Sequence, residues 1–164
     1  YYPENYPQYE DYIGTYTATV DDYDEGPTSQ SVTITPKVRG ESYTLKSIGG
    51  FNFTLLYDKA SGKLILDSQS ISPVSSSSYY FACAAGVEGY AHTELSLPSR
   101  LRSGLVNVTA NTNPFTFYFA DKASQENTLL IIWAYSSDEY STSGLMGYWS
   151  WYNSILMEKE NEGN

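Results

Sequence analysis

Phe115-Thr116-Phe117-Tyr118-Phe119 sets three phenylalanines on alternate positions, and the run from Tyr12 to Val20 repeats the rhythm. There Tyr12, Gly14, Tyr16, Ala18 and Val20 alternate with Thr15, Thr17 and Thr19. Successive strand side chains point to opposite faces, so a period of two marks half-buried strands. Working outward from these two runs, ten segments read as strands: 12–21, 30–38, 42–48, 51–57, 63–69, 78–85, 104–110, 115–120, 128–136 and 147–157. Turn signals separate them, among them Asp24-Glu25-Gly26-Pro27, Arg39-Gly40, Gly49-Gly50 and Ala60-Ser61-Gly62. No stretch holds an apolar pattern at helical spacing. The best candidate, His92 to Arg102, is interrupted by Pro98.

The fold class that follows is all-β. Short connections make sequential strands antiparallel neighbours, so the simplest topology is a meander. About ten such strands must stack as a sandwich or close on themselves, and closure removes exposed edges. Glycines at 14, 49, 50, 104 and 147 stand where barrel corners and bulges need them. A closed or nearly closed barrel is expected, with segment 12–21 paired to 147–157 and Tyr12 and Tyr16 near Trp149 and Trp151. Its core should include Leu55, Leu64, Leu66, Phe117, Ile131 and Trp133. Two segments echo each other: Phe51-Asn52-Phe53 leads to Asp58-Lys59-Ala60-Ser61, and Phe115-Thr116-Phe117 leads to Asp121-Lys122-Ala123-Ser124. Both read as hairpins whose turn Asp accepts backbone N–H bonds.

Residues 1–10 carry two prolines and no periodicity, and read as an extended arm; residues 11–158 form the barrel and 159–164 a tail. A chain of 164 residues can bury roughly 70% of its unfolded surface, so neither disulfide nor metal is required. The single cysteine, Cys83, lies in an apolar strand and reads as a small buried hydrophobe. The longest apolar run, Leu129 to Tyr135, is far shorter than the ~18 residues of a membrane helix. The chain starts at Tyr1 without a charged and apolar leader, as expected of a segment whose targeting sequence has been removed. The formal charge of −10 repels phosphate backbones, which argues against nucleic-acid partners.

The opening strand Tyr12-Ile13-Gly14-Thr15-Tyr16-Thr17 carries Gly-x-Tyr where lipocalin-type barrels carry Gly-x-Trp. With Tyr43-Thr44-Leu45, Leu56-Tyr57-Asp58 and Gly62-Lys63-Leu64, it resembles the lipocalin-like domains of surface lipoproteins in Gram-negative gut bacteria. The resemblance implies a small exported barrel in the periplasm or on the outer cell surface. It also implies a membrane tether through an N-terminal lipidated Cys absent from this sequence, with residues 1–10 as the link. Residues 136–147 depart from the pattern, leaving no room for the helix that lipocalins place before their last strand.

The chemistry-bearing residues are sparse. One histidine, His92, and one cysteine make neither a nucleophilic triad with recognisable spacing nor a usual zinc set. A carboxylate-based hydrolase needs two acids roughly 5–9 Å apart, and Asp67 is the only strand-interior candidate. No catalytic residue, metal site or cofactor is therefore expected. The acidic cluster Asp21, Asp22, Asp24 and Glu25 has a superficial calcium-loop look without the register or the bidentate Glu of an EF-hand. The strongest binding signal is Tyr148-Trp149-Ser150-Trp151-Tyr152. A regular strand sets Trp149 and Trp151 on one face, about 7 Å apart at ~3.4 Å per residue, with Tyr148 and Tyr152 opposite. Together with Tyr16 these are the expected ligand contacts, since large rings with polar tips favour recognition. The expected function is non-enzymatic binding of a small amphipathic molecule, a glycan or a protein partner. A glycan-binding accessory module and a small hydrolase are the alternatives.

Overall fold

A computed structural model describes residues 7–85, 106–108, 113–119 and 130–160. Eleven strands lie in them: β1 Gly14–Asp22, β2 Gly26–Val38, β3 Ser42–Ile48, β4 Phe51–Asp58, β5 Lys63–Leu66, β6 Gln69–Pro73, β7 Tyr80–Ala85, β8 Val106–Val108, β9 Phe115–Phe119, β10 Leu130–Tyr135 and β11 Leu145–Lys159. All pair antiparallel. The edge of β4 away from β3 is shared, with β5 along residues 56–58 and β6 along 51–52. β11 is shared in the same way by β9, at Leu156 and Met157, and β10, from Tyr152 to Leu145. β8 continues the line of β7, because Ser70 faces Ala82 while Leu66 faces Val106. The eleven strands thus make eight staves in chain order, and the pairing of β1 with β11 closes the ring.

Two expectations change. Segment 63–69 is not one strand: the ladder breaks at Asp67-Ser68, and β6 continues to Pro73. The Gln69 carboxamide bridges this break like a backbone peptide. Its Oε1 accepts the Thr54 N–H at 2.8 Å, and its Nε2 donates to the Thr54 carbonyl at 2.9 Å. The second echo segment is not a hairpin, since β9 and β10 follow one another along β11 instead of pairing together. Its Asp121 turn lies outside the described residues. The first echo behaves as read: the Asp58 Oδ1 accepts the Ala60 N–H at 3.0 Å.

Interior positions carry the apolar phase of the alternation. Leu55, Leu64, Leu66 and Phe117 are buried there as expected, and so are Tyr16, Tyr43, Phe115 and Tyr152. One end is plugged. The last two residues of the expected arm, Tyr9 and Glu10, wind with Asp11 and Tyr12 into a 3₁₀ turn, with Tyr9 and Tyr12 buried. Tyr9 stacks on Tyr43 at 4.4 Å, and each phenol donates outward into the other's surroundings, Tyr9 to the Ser42 carbonyl and Tyr43 to the Tyr9 carbonyl. Tyr12 donates to the Gly62 carbonyl, Tyr16 to the Tyr12 carbonyl and Tyr57 to the Pro7 carbonyl. Hydroxyls this deep need such partners, since an unpaired buried donor costs about 1–3 kcal/mol.

At the other end the β3–β4 turn leans inward. The Gly49 N–H donates to Gln30 Oε1 at 2.8 Å, and the buried Tyr152 hydroxyl lies against the Gly49 Cα. Gly49 has φ +61°, and a Cβ there would sit 2.0 Å from the Tyr152 oxygen. Gly49→Ala should destabilise the barrel by about 2 kcal/mol, combining left-handed strain with displacement of a packed ring. A thermal-unfolding midpoint equal to wild type would show that Tyr152 moves freely.

A smaller cluster forms on the outside. Ala82, Ala84, Ile131, Trp133 and Tyr135 face away from the interior yet are buried, with Tyr140, Leu145, Tyr148 and Trp151 packed against them. Ile131 and Trp133 are buried as expected, in this outer layer instead of the lumen. β10 is therefore apolar on both faces, which explains its uninterrupted apolar sequence.

Candidate functional site

The aromatic run of β11 does not form the expected platform. Trp133 faces Tyr148 while Ile132 faces Ser150, so Trp149 is the extra residue of a β-bulge. The bulge reverses the phase: Trp151 and Tyr148 join the outer cluster, with rings 5.8 Å apart, while Trp149 meets interior Phe81 at 5.3 Å. Trp149 remains 55% exposed, but Tyr152 and Tyr16 are sealed in the core. Tyr16 is also remote from the tryptophans, although its strand pairs with theirs as expected. Tyr16 faces Lys159 and Asp22 faces Tyr152, which puts Tyr16 more than about 20 Å along the strand from the tryptophans at ~3.4 Å per residue. Trp151 is itself covered by Tyr23, stacked at 4.4 Å. Trp151→Ala should cost about 2 kcal/mol and Trp149→Ala about 1 kcal/mol or less, because only the former loses a stacked partner. Equal shifts in the urea midpoint would contradict this asymmetry.

The acidic turn after β1 is internally satisfied. Asp22 Oδ1 accepts the Asp24 N–H at 2.8 Å and the Glu25 N–H at 3.2 Å, and the Tyr148 hydroxyl donates to Asp24 at 3.0 Å. Among the described residues no three His, Cys, Asp or Glu gather closely enough to hold a metal ion. Among the described residues Asp67, at the β5–β6 break, has no second carboxylate gathered with it in a metal-holding group, while His92 lies outside the described residues. Cys83 is sealed, and burial pushes its thiol up to about 12. A thiol held protonated is a poor nucleophile, so thiol reagents at pH 8 should label Cys83 only after unfolding. Stoichiometric labelling of the native protein within minutes would overturn that.

A groove that sequence reasoning did not single out lies on the outer face of β3, β4 and β6. Alternation that sends Leu45, Phe53 and Ile71 inward sends Thr44, Asn52, Thr54, Ser70 and Ser72 outward. These side chains and Gln69 floor a cavity of about 630 Å³, rimmed by Tyr79, Tyr80 and Tyr140 and bordered by Lys37. Tyr79 and Tyr80 are 41% and 44% exposed, so their rings are available from solvent. Tyr140 reaches the rim from the β10–β11 loop in a left-handed conformation, φ +53°, which is uncommon for a bulky residue. Its ring is set edge-on to Tyr135 at 5.4 Å, and burial raises its phenol above the usual value, opposed by a hydrogen bond with Ser70. Lys37 reaches from β2 across β3, and its Nζ donates to Thr54 Oγ1 at 2.7 Å. A second, more open hollow near the plugged end, of about 640 Å³, carries Glu41, Asp58 and Lys59 beside Leu56 and Ile65.

The groove's signal was present in the sequence as outward-facing hydroxyls and amides, but without closure nothing gathers them with tyrosines from two distant loops. The family DUF4987, described as a domain of unknown function, matches residues 1–133, from the plug through most of the barrel to Trp133. No curated protein and no solved structure matches the chain.

Proposed function

The chain belongs to the DUF4987 family, and we propose that its barrel is a binding domain that takes a polyhydroxylated ligand, a glycan segment, in the outer-face groove. The observation that carries this reading is the lining itself: a floor of serine and threonine hydroxyls with the Asn52 amide beside exposed tyrosine rings. Sugar hydroxyls pair with such floors, and the apolar faces of sugar rings pack on aromatic rings that keep a polar tip wet. The strained Tyr140 backbone at the rim supports it, since strain of this kind concentrates at ligand sites. Binding in the lumen is less well supported, because the buried interior rings, among them Tyr43, Phe81 and Phe117, would have to be displaced. Turnover draws no support from the groove, whose lining among the described residues holds no Asp, Glu, His or Cys. An exported setting suits the reading.

The test is titration calorimetry against a panel of neutral and acidic oligosaccharides. The double variant Tyr79→Ala/Tyr80→Ala should bind the ligand so found about 10-fold or more weakly while its unfolding midpoint stays unchanged. Failure of every panel member to bind, or undiminished affinity in the double variant, would overturn the assignment.

A further inference from the structure

We propose that the groove selects an acidic glycan unit, one bearing a carboxylate, and that the Lys37 ammonium is its partner; the inference rests on the glycan reading above. The chain carries 19 acidic against 9 basic residues, yet among the described residues the groove lining contains Lys37 and neither Asp nor Glu. On so acidic a protein, a cavity whose described lining carries an amine and no carboxylate is locally suited to an anion. Asp138 in the β10–β11 loop acts on the Tyr140 end of the rim, whereas charges further than a Debye length of about 8 Å are screened at physiological salt.

The amine is placed for the task. Lys37 lies across the outer face of β3, and its bond to Thr54 Oγ1 uses one of three ammonium donors. The others remain for an incoming carboxylate. Thr54 is itself fixed, because both of its backbone polar groups are bonded to the Gln69 carboxamide. The cation therefore rests on a rigid floor, which lowers the ordering cost of binding. Lys46 follows Thr44 on the outward phase of β3, paired with Thr33 of β2. On this geometry the carboxylate sits at the Lys37 border while the sugar ring packs toward Tyr79 and Tyr80.

The experiment compares oligogalacturonate, hyaluronan and alginate oligomers, each beside its carboxyl-reduced neutral form, by titration calorimetry on the intact chain. At least one acidic oligomer should bind about 5-fold more tightly than its reduced form, the scale of one exposed ion pair. Lys37→Gln should abolish that preference, so that acidic and reduced forms bind alike, and Lys37→Arg should retain it. Equal affinity for acidic and reduced forms would overturn the acidic-unit proposal and leave the glycan reading standing. A Lys37→Gln loss equal for both forms would do the same, placing Lys37 on the neutral sugar. No binding by any oligomer, acidic or reduced, would remove both.

Discussion

Phe117→Ala should lower the unfolding free energy by about 3–5 kcal/mol, the usual range for emptying a packed aromatic site. Phe117 has no exposed surface and sits in the interior cluster, with its ring edge-on to Phe115 at 5.9 Å. Phe115 in turn meets Tyr12 and Tyr16, so the ring belongs to the aromatic mass that holds the plug. Its surroundings are strands joined into a closed ring, which cannot collapse easily into the vacated space. The loss would appear as a lower urea midpoint with an unchanged slope. A loss below about 1 kcal/mol would show that the inward face of β9 is loosely packed.

Alkali should unfold the protein by a route set in the plug. In the unfolded chain Tyr12, Tyr16 and Tyr43 ionise near 10, whereas in the fold each holds its proton to higher pH. Burial is the main cause, because it penalises the phenolate; for Tyr12 the nearby Tyr57 and Asp11 add to it, and for Tyr43 the stacked Tyr9. Below pH 10 both states are protonated and the stabilisation is fully present. Above it the unfolded state releases protons that the fold retains, so stability falls as pH rises toward the folded values. The slope is up to about 1.4 kcal/mol per pH unit for each phenol. The expected curve is level from pH 7 to 9 and falls steeply above 10. Tyr12→Phe should be less stable at neutral pH, having lost its bond to Gly62, but should lose stability less steeply in alkali. A wild-type curve level to pH 12 would contradict the sealed plug.

Residue alternation carried the fold class a long way. The phases of β1, β4 and β9 place Tyr16, Phe53 and Phe117 inside, as the apolar positions of those segments require. The glycine-marked turns kept most strands in place, and the two ends of the barrel met as expected. Period-two reasoning fails where a residue is inserted, because a single bulge turns every later side chain to the other face. That is what happens at Trp149, and it is why the four β11 rings among the five expected ligand contacts became one exposed ring, two outer-layer rings and one core ring. Local sequence does not announce such a bulge; the pairing of β10 with β11 imposes it.

By itself, then, the sequence determined an all-β meander, its core residues and the acidic, disulfide-free character of the chain, because these depend on local periodicity and composition. Tertiary structure alone decided that Tyr9 and Tyr12 would plug one end, since only the closed barrel offers carbonyls of Ser42 and Gly62 at the right places. It alone gathered Lys37, Thr54, Gln69, Tyr80 and Tyr140 into one groove, from five segments that no sequence window contains. A binding site made of outward side chains on separate strands exists only once strand order and register are fixed.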